Sequence, residues 1–456
     1  MGYVMNEAAQ GRLGAFLELI GRALGEKRRK ASFAMYAYGL FSDGERKSME
    51  PIAARACGAE ATADSFHQRL GHFITDSDWS DRNVRRVAAS YGIAEMVKHG
   101  PIGAWIIDDT GFEKQGTHSV GVQRQYTGTA GKVTNCQIGV SLSVSTRTEH
   151  LPIDFELYLP KSWTDEALRR KEAKIPEEIG FATKPELALK MIDRAVENGV
   201  PRGVVLADAA YGNSDGFRSR VRERGLDYAV AVNSSTTVWV LDEANGRGRI
   251  KWTVKDVATV LGPKRFRRTT WREGTGERLT AKFAARRVVV GHDDGPPPAQ
   301  REEQWLLMEW RDGEAEAAHF YLLTLPRGTR RKAMVRLVKE RYRTERAYED
   351  LKGELGLDHF EGRRYRGWHH HVSVALTCYA FITAEKVRAF PPSEGWASAT
   401  SSLGAEAGAT LRRLVHHHPP RDRPSPFDVA PPVPHVPEAI DALSIISGTA
   451  PLGLTQ

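Results

Sequence analysis

Residues 104–146, AWIIDDTGFEKQGTHSVGVQRQYTGTAGKVTNCQIGVSLSVST, decide the fold of this chain. The stretch opens on a short apolar run, Ala104-Trp105-Ile106-Ile107, which predicts a buried strand, and that run ends on two adjacent carboxylates, Asp108 and Asp109. A loop rich in Gly, Lys, Gln and Arg follows. Then comes a second apolar run, Cys136 to Val144, which could pair beside the first and hold its end rigid. An isolated Asp-Asp pair in such a place usually caps the strand and starts a turn. Carboxylates further along the chain change that reading.

Working outward, strands are predicted at 104–109, 135–145 and 151–159, and a helix at 184–198 stopped by Gly199. A strand at 203–208 ends, like the first, on an aspartate, Asp208. A basic helix near 217–224 and a strand at 228–233 complete the series. Three strands, a helix, a strand, a helix and a strand is the order of an RNase H-like mixed sheet, an α/β fold with flanking helices. Residues 1–98 read as a helical N-terminal region, with Ser80 or Asp81 as one cap. Its interleaved basic residues suit either a DNA-binding region or a solvated helix face. Polar hairpins dominate 238–325, with turns at Arg272–Glu277 and Asp312–Glu314 and a Pro-rich loop at 295–299, which predicts a β-rich insertion. Helical texture returns at 329–355 and 368–388, closing a catalytic domain of 99–390. The tail, 391–456, has the Pro, Ser and Gly content of a disordered extension.

The chain has 456 residues, enough for two or three domains, and is 41% hydrophobic and 27% charged, a globular balance. No apolar run approaches the roughly 18 residues needed to span a bilayer, so no membrane partner is expected, and the N-terminal residues lack a signal-peptide pattern. Three scattered cysteines, Cys57, Cys136 and Cys378, have no zinc spacing and fit a reducing cytoplasm. A formal charge of +8 suggests a polyanionic partner, although GC-rich genomes also raise arginine content.

The third acidic candidate lies in KERYRTERAYEDLKGELGLDHFEGR. Arg341, Glu345, Tyr348 and Lys352 share one face of a helix by their spacing. Alone, that pattern is a salt-bridged surface stripe. With two aspartates at the ends of buried strands, it predicts three converging carboxylates. Oxygen ligands of this kind hold two Mg²⁺ or Mn²⁺ ions about 3.5–4 Å apart for phosphodiester chemistry.

These motifs, WIIDDTGFEKQGTHSVGVQRQY, VVLADAAYGN and YRTERAYEDLKGELGLDHFEGRRYRGWHHH, resemble the DDE transposases of bacterial insertion sequences, of the SRSO type, over roughly residues 30–390. The resemblance implies that Asp109, Asp208 and Glu345 are the catalytic, metal-binding acids. It implies two Mg²⁺ or Mn²⁺ ions, and terminal inverted repeats and target DNA as partners. It also implies a homodimer on DNA in the nucleoid. A related cut-and-paste group carries a Tyr, Arg, Glu, Lys signature that grips DNA phosphate. Arg341, Glu345 and Lys352 match its spacing, but Val338 stands in the tyrosine slot, with Tyr342 or Tyr348 as substitutes. Arg341, Lys352, Tyr348, Arg124 and Lys132 are therefore the expected DNA-binding residues, with Gln123 and Gln125 beside the last two. A solvated hairpin would explain the 123–132 set equally well. His369, His370 and His371 are expected to pack or meet DNA rather than bind metal, and His416–His418 to be solvated. Two other readings are a catalytically inactive, transposase-derived DNA-binding protein and a structure-selective RNase H-like nuclease.

Overall fold

The computed structural model describes residues 6–56, 63–242, 246–272, 279–291 and 301–390. The tail from 391, His416–His418, Cys57, the 295–299 loop and most of the 272–277 turn lie outside the described residues. Five helices come first: α1 (Glu7–Leu24), α2 (Lys27–Phe41), α3 (Met49–Ala56), α4 (Ala63–Thr75) and α5 (Asp81–Met96). Ser80 caps α5, its hydroxyl accepting the Asn83 N–H at 3.1 Å. Next are β1 (Ala104–Glu113), β2 (Gln123–Thr127), β3 (Lys132–Ser145) and β4 (His150–Tyr158), then the short helices α6 (Lys161–Thr164) and α7 (Ala167–Glu172). The central crossover holds α8 (Lys184–Glu197), β5 (Val204–Ala207), α9 (Ala209–Gly212), α10 (Asp215–Glu223) and β6 (Tyr228–Val232). The predicted insertion contains β7 (Thr237–Asp242), β8 (Gly246–Thr253), α11 (Val254–Leu261), β9 (Arg267–Arg272), β10 (Leu279–Val290), β11 (Glu303–Trp310) and β12 (His319–Leu323). Helices α12 (Arg331–Lys339), α13 (Tyr342–Gly353) and α14 (Tyr365–Ala389) end the described chain.

All strands join one 12-stranded sheet, in the order β2-β3-β1-β5-β6-β12-β11-β10-β7-β8, with β4 on β3 and β9 on β10. The segment β4-β3-β1-β5-β6 is the RNase H-like arrangement: β1, β5 and β6 are parallel, and β3 is antiparallel to β1. The inserted strands extend this sheet, because β12 pairs antiparallel with β6 from Phe320↔Val232 to Leu323↔Ala229. Helix α11 departs from the expected run of hairpins. Thr253 and Asp256 form a reciprocal capping box that starts it, while Val254, Val257 and Ala258 bury one face. On β11, fully buried Glu309 accepts hydrogen bonds from Lys339 at 2.7 Å, Tyr321 at 3.0 Å and Arg311 at 3.1 Å. The Lys339 pair fixes α12, and through it α13, to the extended sheet.

Helix α14 is buried along most of its length, and α1, α2, α4 and α5 wrap it in the same hydrophobic cluster that fills the sheet. Phe16 stacks on Phe381 with ring centroids 5.5 Å apart, and Trp79 stacks on His370 at 3.7 Å. Two charged links cross the same contact: Arg12 to Glu385 at 2.6 Å, and Arg85 to the Ser373 hydroxyl at 2.8 Å. The three adjacent histidines are all buried here. Among the described residues no group of three or more His, Cys, Asp or Glu side chains is disposed to hold a metal, and no helix is long and apolar enough to cross a membrane.

His371 shows what such burial costs. The Tyr36 hydroxyl donates to Nδ1 at 2.9 Å, and Nε2–H faces the carbonyls of Gly356 and Leu357 at 3.1 Å, an arrangement for the neutral ring. Burial pushes its pKa down to about 4. The unfolded chain takes up this proton below about 6.5 and the folded chain only near 4, so stability is intact above pH 6.5 and falls as pH drops through that window. The loss reaches up to about 1.4 kcal/mol per pH unit from this group. Thermal melts of wild type and His371→Gln between pH 7 and pH 4 check this: the variant, whatever its starting stability, should show a shallower decline.

Candidate active site

Side chains on β1 alternate between two faces of the sheet. Ala104 and Ile106 join Leu206, Ala229 and the α12 residues Met334 and Val335, whereas Trp105 and Ile107 join Val205 and Ala207 in the larger cluster. Continuing the alternation, Asp108 faces α12 and α13, and Asp109 faces α8 and α9. The strand does not end at these aspartates, as its sequence suggested. It runs on to Glu113, because the 14-residue β3 pairs with it in register as far as Glu113↔Cys136.

The two carboxylates therefore meet different partners. Asp108 is 7% exposed; its Oδ2 accepts from Arg341 at 2.7 Å and its Oδ1 from the Asp109 N–H at 2.9 Å. Burial pushes its pKa up to about 7, Arg341 opposes the rise and Asp208 adds to it. The Asp109 oxygens accept from Lys184, at the start of α8, at 3.1 and 3.2 Å, and Oδ2 also accepts from the Tyr211 hydroxyl at 3.2 Å. Thr183 fixes Lys184 by opening α8 with a capping box to Glu186. Tyr211 belongs to α9, the short turn that Asp208 caps by accepting the Ala210 N–H at 2.9 Å. The Asp208 turn thus reaches Asp109 through Tyr211.

Glu345 is the outermost of the acids. Its side chain is 66% exposed and meets Arg341 at 3.8 Å. The predicted convergence of Asp109, Asp208 and Glu345 is therefore not closed: protein cations neutralise the acids instead, Lys184 on Asp109 and Arg341 on Asp108 and Glu345. The donors are all carboxylate oxygens, and each cation stands where charge compensation is needed, so the set fits hard divalent cations in chemistry.

One of the expected DNA contacts needs correction, and two others meet the protein's own groups. Tyr348 is buried and its hydroxyl meets the Ser141 hydroxyl at 2.5 Å. Lys352 turns inward, donating to the Gly111 carbonyl at 2.7 Å over the Phe112 ring, and burial lowers its pKa. Arg341 is held by Asp108. The shared helical face of 341, 345, 348 and 352 is real, but it packs along β1 and β3. Val338, in the tyrosine slot, is buried beside Met334, while Tyr342 is exposed. Arg124 and Lys132 are exposed, on β2 and the start of β3. Of the residues not singled out from sequence, Tyr211 had a signal, a D-x-x-Y turn after a buried strand. Lys184 had none beyond its place at a helix start.

The β2–β3 turn is tied to the same spot. The Thr129 hydroxyl accepts the Gly111 N–H and meets the Thr110 hydroxyl, both at 3.2 Å. A side chain at 111 would collide with Thr127, whose Oγ1 would lie 2.1 Å from an added Cβ. Gly111→Ala should therefore cost about 1–3 kcal/mol, and Gly111→Ala combined with Thr127→Gly should recover most of it in denaturant melts. Equal loss in the single and double variants would contradict this packing.

A family profile described as "DDE superfamily endonuclease" matches residues 20–278, and one described as "Transposase DDE domain" matches residues 182–381. The chain belongs to the DDE superfamily of endonucleases. It is 33% identical over 214 residues to a protein of Microchaete diplosiphon described as "Probable transposase for insertion sequence element IS701". That match covers 46% of this chain and spans about half, 51%, of the relative's length. A synaptic complex of piggyBac transposase with hairpin DNA aligns over 86% of this chain and 71% of that chain, at 10% identity and a TM-score of 0.37, too loose a likeness to carry an argument.

Proposed function

We propose that this chain is a DNA transposase that binds the terminal inverted repeats of an insertion sequence and catalyses cleavage and strand transfer, using Asp109, Asp208 and Glu345. The observation that carries the assignment is the division of the aspartate pair. Asp108 is bound by a short arginine contact and a backbone N–H. Asp109 is held at longer range by Lys184 of α8 and by Tyr211 of the Asp208 turn.

Asp109, Asp208 and Glu345 would hold two Mg²⁺ or Mn²⁺ ions, which supply an activated hydroxyl nucleophile and stabilisation of the leaving oxygen. The residues themselves prepare that binding. Lys184 pairs with Asp109, and Arg341 with Asp108 and Glu345, and these cations offset the acids' charge. Tyr211 orients Asp109 from the Asp208 turn, and Asp108 anchors Arg341, which positions the helix of Glu345. Arg124 and Lys132 supply phosphate contacts at the sheet edge. Residues 1–98 contribute to recognising the repeat, and two chains act together on paired ends in the nucleoid.

The test is cleavage of a plasmid carrying the DNA that flanks the gene, in Mg²⁺ or Mn²⁺. Asp109→Asn, Asp208→Asn and Glu345→Gln should each abolish cleavage while binding is retained, and Asp108→Asn should do less harm. Wild-type activity in Asp109→Asn would sink the assignment. A wild-type protein that binds the ends and never cuts would instead be an inactive, transposase-derived DNA-binding protein. Cutting without regard to the ends would mark a nuclease.

Salt dependence separates the basic residues. Arg124→Ala and Lys132→Ala should each flatten the plot of log affinity against log salt by roughly one unit, the loss of one phosphate contact. Lys352→Ala should leave the slope unchanged and lower stability instead. A slope change for Lys352 alone would reverse the inward placement described above.

A further inference from the structure

Beside Arg124, the β2–β3 hairpin carries an exposed apolar pair that the chemistry above does not use. Tyr126 and Val133 are direct cross-strand partners, and they are 62% and 53% exposed. Arg124 lies two residues along the same face of β2, also exposed, and Lys132 sits at the start of β3 beside the turn. The opposite face is fixed: Thr127 is buried, and the Gln125 side chain donates to the Cys136 carbonyl at 2.9 Å. The turn is fixed as well, through Thr129 on Thr110 and Gly111. A rigid aromatic ring therefore stands in solvent on a hairpin pinned to the residue that follows Asp109.

An exposed tyrosine beside an exposed valine is poorly solvated surface, and Arg124 adds a cation on the same face. That combination fits a flat apolar group carried on a polyanion. We propose that the Tyr126–Val133 pair is a stacking platform for an unpaired DNA base at the cut end, with Arg124 on a flanking phosphate. The proposal rests on the transposase reading and adds a base-binding subsite to it. Aromatic stacking suits this role because every base presents a π-face, so the subsite needs no particular sequence. β2 is also the edge of the sheet, where a second copy could add a strand, but an exposed arginine on an edge opposes such pairing.

The test uses a short duplex with a single-stranded overhang containing 2-aminopurine, whose fluorescence falls when it stacks, with full-length protein and no divalent metal. Wild type, Tyr126→Phe and Tyr126→Trp should quench the probe. Tyr126→Ala should leave it bright and lose roughly tenfold to hundredfold of the preference for overhang over blunt duplex. Quenching retained in Tyr126→Ala, or wild type that binds the duplex with no quenching, overturns the platform alone. Wild type that binds no DNA overturns the transposase reading together with it. If Tyr126→Ala changes the oligomeric state in sedimentation without DNA and quenching persists, the surface is a subunit contact and the proposal fails.

Discussion

The two-residue period of a β-strand is the constraint on which the rest of this site depends. β1 is paired on both sides, to β3 through its whole length and to β5 from Ala104↔Val204 to Ile106↔Leu206, so its register cannot slip without forcing Trp105 and Ile107 into the smaller cluster that holds Ala104 and Ile106. With the register fixed, two adjacent aspartates must point to opposite faces. One goes to the glutamate helix and the other to the start of α8 and the Asp208 turn. A motif that is a simple doublet in sequence becomes two carboxylates with separate electrostatic duties.

Each duty is set by what compensates the charge. Burying an ionised carboxylate is costly unless it is paired and hydrogen-bonded. Asp108 meets that demand with Arg341 and a neighbouring N–H, and its raised pKa records the residual cost of burial beside Asp208. Asp109 meets it with Lys184 and Tyr211, groups on two elements whose shared contact is this carboxylate. Arg341 spans Asp108 on the sheet and Glu345 on the helix, linking an anchored acid to an exposed one. Behind the helix, the Glu309–Lys339 pair at 2.7 Å carries the same logic into the inserted strands.

Much of this was legible in the sequence. The apolar runs ending in Asp108-Asp109 and at Asp208 located two parallel strands, β1 and β5, and the motif order pointed to the family. What the sequence could not show was which face a residue takes. The spacing of Arg341, Glu345, Tyr348 and Lys352 correctly placed them on one stripe, yet periodicity cannot say whether a polar stripe meets solvent or a sheet with its own polar groups. Here Ser141, Asp108 and the Gly111 carbonyl receive three of the four. Past the aspartates Thr110-Gly111-Phe112-Glu113 carries no clear strand pattern, and only pairing with β3 reveals the extension. Helix α11 was missed in a strand-rich stretch although its capping box, Thr253 and Asp256, was in plain view.

The central claim is that Asp109, not Asp108, belongs to the ion-binding set with Asp208 and Glu345. Mn²⁺ binding, followed by the loss of its free-ion electron paramagnetic resonance signal on titration into protein without DNA, measures this independently of cleavage. The account predicts that Asp109→Asn and Asp208→Asn weaken Mn²⁺ uptake at least about tenfold, a loss of roughly 1.4 kcal/mol or more, while Asp108→Asn binds as wild type does. Weakened uptake in Asp108→Asn with wild-type uptake in Asp109→Asn would contradict it.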